Sequence, residues 1–114
     1  MDKPAKEQLI KIITNYLDCT EDLTIEFVDQ VLQIIKLFDS KQHDYGSANI
    51  AMFAENGVLI RTHDKMARLI QLSKSGKEPK NESIEDSWKD IATYGIIALM
   101  CYTGVWPGVD NENN

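Results

Sequence analysis

The chain has 114 residues and a mass of 13.0 kDa, which is room for one domain around one core. Its 18 acidic and 12 basic residues give a formal charge of −6 and a pI near 4.8. That balance excludes a coat binder of DNA or of an anionic membrane, since both need a positive field over the whole surface.

The remaining composition is ordinary for a soluble protein, with 43% apolar and 26% charged residues. No apolar run reaches the roughly 18–20 residues that span a bilayer, and the opening MDKPAKEQ carries no signal-peptide core. Cys19 and Cys101 have no metal-ligand spacing and read as reduced, partly buried thiols. A cytoplasmic protein without membrane or nucleic-acid partners is expected.

In chain order, periodicity predicts helix almost throughout. Residues 4–17 place Leu9, Ile10, Ile13, Tyr16 and Leu17 on one stripe, with Pro4 suited to a first turn. A second helix over residues 22–39 carries Leu23, Phe27, Val28, Val31, Leu32, Ile35 and Phe38 on its main face. Ile25 and Ile34 lie outside that stripe, so the helix is expected to be central or to touch a partner subunit. Lys41 to Ser47 reads as a loop with a turn at Gly46, and a short helix after it is expected to stop at Asn56-Gly57. A fourth helix over residues 58–73 leads into the loop Lys74 to Lys80. The last helix starts between Asn81 and Ser83 and runs to about Tyr102. From Ile91 onward, and most clearly over Ile96 to Cys101, it is apolar nearly all round, which predicts the buried centre of the fold. The expected architecture is all-α: a single small bundle of four to five helices over residues 1–105, with a flexible tail over 106–114.

Three groups of residues carry chemistry. On the fourth helix, Arg61, Asp64, Lys65 and Arg68 recur at i, i+3, i+4 and i+7 and share a face. Three cations there suit a phosphate chain, or else a solvated face with an Asp64–Arg68 pair worth about 0.3–0.5 kcal/mol. Leu59, Met66, Leu69 and Ile70 are expected to take the core. On the last helix, Glu82, Asp86 and Asp90 recur every four residues, with Glu85 beside them. Like charges at that spacing repel. They read either as Mg²⁺ ligands or, for Glu82 and Glu85, as first-turn acids favoured by the helix dipole. The third group is Lys41, Asp44 and Tyr45, placed to reach a ligand beside Gly46. No phosphate-cradling glycine loop, nucleophile elbow or zinc spacing is present in the sequence.

Three segments stand in order: Lys41-x-x-Asp44-Tyr45-Gly46, Gly57-x-x-x-Arg61-x-x-Asp64-Lys65-x-x-Arg68-Leu69, and Glu82-Ser83-Ile84-Glu85-Asp86-Ser87-x-x-Asp90-Ile91-x-x-Tyr94. Over about residues 36–102 they resemble the nucleotide modification associated domain, type 1, a family of bacteria and their phages. The resemblance implies an all-helical domain linked to nucleotides, in the host cytoplasm if phage-encoded. It extends more loosely to the MazG-like all-α pyrophosphohydrolases, which set a Glu-x-x-Glu pair and Mg²⁺ against a Glu-x-x-Asp pair on another helix. Here the pairs would be Glu82/Glu85 and Glu26/Asp29.

Three functions fit these residues. The first is a homo-oligomeric binder that recognises or sequesters a modified, signalling or cyclic nucleotide, countering host defence. Its nucleotide- and phosphate-binding residues would be Lys41, Asp44, Tyr45, Arg61, Asp64, Lys65 and Arg68. The second is a Mg²⁺-dependent nucleotide pyrophosphohydrolase with Glu82, Glu85, Asp86 and Asp90 as metal ligands. The third is a non-catalytic protein-interaction domain. Charge is divided in a way that suits the first two: residues 41–77 carry +3 and the remainder −9.

Overall fold

Asp2 opens the first helix by accepting a hydrogen bond from the Ala5 N–H at 2.8 Å, and Pro4 sits in the first turn where no partner for its nitrogen is needed. The computed structural model describes residues 2–110, which form five helices and no strand. These are α1 (Lys3–Tyr16), α2 (Leu23–Tyr45), α3 (Ala48–Ala51), α4 (Ala54–Ser75) and α5 (Ile84–Tyr102). None is long and apolar enough to cross a membrane.

The chain divides into two compact units, Met1–Asp39 and Ser40–Asn114. In the first, Ile10 of α1 and Val28 of α2 are buried, and Lys6 pairs with Asp29 at 3.1 Å. The main face expected for α2 contributes little else to a core: Leu23, Phe27 and Ile35 are exposed.

The second unit begins with the last turn of α2, which the sequence reading takes as loop. Helix continues through Lys41–Tyr45 because nothing breaks it before Gly46, whose N–H bonds Gln42 at 2.9 Å in the left-handed conformation, φ +66°. Gly57 departs from expectation in the opposite sense. It lies inside α4 rather than ending a helix, and a Cβ there would stand 2.7 Å from Phe53 Cβ. Close approach, not helix termination, calls for glycine at that position.

Helices α4 and α5 form the most extensively packed pair, and they run antiparallel: Arg68 meets Ser87 and Lys65 meets Asp90. Among the described residues, half of the buried ones lie on α5, in the stripe Ser87, Asp90, Thr93, Ile97 and Cys101. The stripe is polar at its start and apolar at its end. Val58 of α4 is buried, whereas Leu59, Ile60 and Ile70 face outward, as do Ile96 and Leu99 of α5. Of the residues expected to take the core on α4, Leu59, Met66 and Ile70 are thus exposed and Leu69 is half-buried, and the fully buried residues of α5 lie along one side.

The segment from residue 106 is not a free tail at its start. Trp106 is buried and donates from its indole N–H to the Ser47 carbonyl at 3.0 Å. Residues 111–114 of the expected tail lie outside the described residues.

Candidate functional site

The polar half of the α4–α5 contact carries the candidate site. Ser83 caps α5 by accepting from the Asp86 N–H at 3.0 Å, which leaves Glu82 just outside the helix and points Ser87 and Asp90 toward α4. Asp90 is buried, and its two oxygens are divided between Lys41 Nζ and Lys65 Nζ, each at 2.8 Å. Lys65 also reaches Glu82 Oε1 at 2.6 Å. The hydroxyl of Ser87, which is fully buried, donates to Glu82 Oε2 at 2.5 Å and accepts from Arg68 Nη1 at 2.7 Å. The second Arg68 amino group donates to the main-chain carbonyl of Glu82. Three cations and two carboxylates therefore share one network that joins the end of α2, the middle of α4 and the start of α5.

Such a network survives burial because every charge in it is hydrogen-bonded. Burial works to raise the Asp90 pKa, but the hydrogen bonds from Lys41 and Lys65 outweigh it and hold the value below the usual carboxylate range. For Lys65, burial works to lower the pKa, and the bonds to Asp90 and Glu82 carry it upward instead. Glu82 is held low first by Lys65 and then by Ser87.

These shifts set a pH window. The two carboxylates contribute stability above their unfolded values near pH 4 and lose it as pH falls through their lower folded values. Lys65 contributes below about pH 10 and loses it as pH rises through its raised folded value. Unfolding midpoints measured across pH should be level from about pH 5 to 9 and should fall on the acid side. The acid-side fall should be shallower in Asp90→Asn.

The other expected site residues are placed differently. Arg61 is exposed, two turns along α4 from Arg68. Asp64 is exposed beside His63, with 3.9 Å between them. Asp44 is exposed and pairs with His43 at 3.2 Å. Tyr45 follows Lys41 by one turn on the same stripe of α2 and is 68% exposed. Among the acids, Glu85 is exposed and pairs with Lys89 at 3.7 Å, and Asp86 is exposed too.

Glu82, Glu85, Asp86 and Asp90 therefore do not converge. No group of three or more His, Cys, Asp or Glu side chains among the described residues is arranged to hold a metal ion. The carboxylates of Glu82 and Asp90 are instead taken up by lysines, so as arranged they do not fit Mg²⁺. Glu26 and Asp29 lie in the first unit, where they line a cavity of about 470 Å³ with Lys3, Lys6 and Ile10. Cys101 is buried, and burial together with the Glu55 charge pushes its thiol pKa up, away from nucleophilic use. Ser87 is the member that sequence reasoning misses; a buried hydroxyl among acids gives no periodic signal.

Comparison with protein families matches residues 41–101 to the family described as nucleotide modification associated domain 1. The matched span falls within the second unit and contains every member of the polar network. Neither the curated proteins nor the solved structures return a match.

Proposed function

The chain belongs to the nucleotide modification associated domain 1 family, and from that premise we propose that its second unit binds a nucleotide through the phosphate and does not turn it over. The observation that carries the reading is the meeting of Lys41, Lys65 and Arg68, from two different helices, at one polar site. Ammonium and guanidinium donors on rigid helices suit phosphate oxygens, with Arg61 adding an exposed cation on α4. Tyr45 supplies an exposed aromatic face near Lys41, and stacking of a base on such a ring is worth about 1–3 kcal/mol. Among the described residues the acids do not converge on a site that could hold a metal ion, which favours recognition over hydrolysis.

In a bacterial or phage setting, a binder of this kind would withdraw a modified or signalling nucleotide from use and so counter host defence. The outward apolar residues of α2, α4 and α5 support assembly of several copies.

Titration calorimetry against mono-, di-, tri- and cyclic nucleotides, with and without Mg²⁺, tests the reading. Dissociation constants well below millimolar are expected for at least one of them. Lys65→Ala should weaken that binding about tenfold or more, since a charge-assisted contact contributes roughly 1.5–3 kcal/mol. Arg61→Ala should weaken it several-fold and leave the melting temperature unchanged. No binding tighter than millimolar would sink the proposal, and Mg²⁺-dependent release of pyrophosphate would replace it with the hydrolase reading.

A further inference from the structure

Among the members of the network, Glu82 alone is outside a helix. It ends the connection between α4 and α5, directly before the cap Ser83. Its side chain is 30% exposed, against 8% for Asp90. The two carboxylates also differ in what surrounds them. Asp90 is held between lysines from separate helices and is the fixed counter-charge of the packing. Glu82 has one oxygen on Lys65 Nζ and the other on the Ser87 hydroxyl, with Arg68 Nη1 3.8 Å away and bonded to that same hydroxyl.

An ammonium, a guanidinium and a hydroxyl converging on one pair of oxygens make a donor set that a phosphate fits equally well. Arg68 also holds the Glu82 carbonyl, so the backbone is fixed and only the side chain has to turn. With both carboxylates in place the three cations leave +1. With Glu82 turned out they leave +2, which balances a phosphate dianion.

We propose that Lys65, Arg68 and Ser87 form the position for a terminal phosphate, and that the Glu82 carboxylate occupies this position until a phosphate displaces it. The inference rests on the phosphate-binding reading above and adds its regulation and its ligand class. A monoester or pyrophosphate end, carrying two charges, gains more from the exchange than a phosphodiester carrying one. Displacement of an internal anion lowers the affinity for every ligand by the fraction of molecules in which Glu82 is already turned out. Neutralising Glu82 removes that competition.

The test compares inorganic pyrophosphate binding by the intact chain, Glu82→Gln and Glu82→Ala, with circular dichroism melts to show that each is folded. Both variants are expected to bind pyrophosphate about tenfold tighter than the parent, or more. Their preference for pyrophosphate over a cyclic phosphodiester should be kept, since the competition is removed for both ligands alike. Equal or weaker pyrophosphate binding by the variants, while the parent still binds a nucleotide in a Lys65-dependent way, overturns the displacement and leaves the phosphate site standing. Binding of neither nucleotide nor pyrophosphate by any of the three chains overturns both readings. Unfolding of both variants makes Glu82 a structural support and overturns the displacement as well.

Discussion

Asp90→Ala should lower stability by about 2–4 kcal/mol, because it leaves two ammonium groups facing each other where a carboxylate had balanced them. Removing one partner of a buried ion pair costs about 3–5 kcal/mol. Two features bring the figure down. Lys41 is 48% exposed and can turn into water, and Lys65 keeps its bond to Glu82. For a domain of this size the melting temperature should drop by roughly 10–20 °C. Asp90→Asn keeps the shape and one acceptor, so about half that loss is expected.

A triple change of Lys41→Met, Lys65→Met and Asp90→Leu separates stability from function. A well-packed apolar replacement of a buried ionic group is often neutral or stabilising by about 1–4 kcal/mol. The triple variant should therefore melt near the parent temperature while losing all phosphate binding. If it retained binding, the network would be scaffolding alone.

The ends of α1 and α5 are legible in the sequence because capping is local: Asp2, Pro4 and Ser83 act within one turn of themselves. The last turn of α2 is not, since apolar periodicity reports a helix only where it rests on a core, and Lys41 to Tyr45 are polar. Sharing of a face by Arg61, Asp64, Lys65 and Arg68 is also legible, as it follows from helix geometry. The direction of that face is not. Charged side chains read as solvated until their partners are known, and Asp90 and Glu82 are distant in sequence from the lysines they bind. Tertiary pairing thus turned Lys65 and Arg68 inward and left Leu59, Ile60 and Ile70 outside. The same pairing separated the acids, because α5 presents the Ser87–Asp90 stripe to α4 rather than the one that includes Asp86.

Trp106→Ala should be the most damaging single truncation in the second unit, at about 3–5 kcal/mol, the usual cost of removing a buried Trp side chain. Only 2% of this residue is exposed. The chain reaches it through a tight reversal after α5, in which the Gly104, Val105 and Trp106 N–H groups bond the Cys101 and Met100 carbonyls at 2.9–3.1 Å. The indole N–H then closes on the Ser47 carbonyl. Ser47 stands at the start of α3 with no side-chain cap of its own, so this bond from the far end of the chain helps hold the turn that follows Lys41. Trp106→Phe keeps most of the apolar volume and removes that donor, for an expected loss of about 1–2 kcal/mol. Urea unfolding of both variants measures the difference. Fluorescence supplies a control, since Trp88 is 54% exposed and Trp106 is buried: Trp106→Ala should leave only the red-shifted emission of Trp88. Because Ser47 follows the turn that carries Lys41 and Tyr45, the alanine variant should also lose nucleotide affinity under conditions where it is still folded, whereas the phenylalanine variant should keep it. Equal stability of Trp106→Ala and the parent would mean that the segment after α5 contributes nothing to the second unit, and the anchoring of the α2–α3 turn by Trp106 would have to be abandoned.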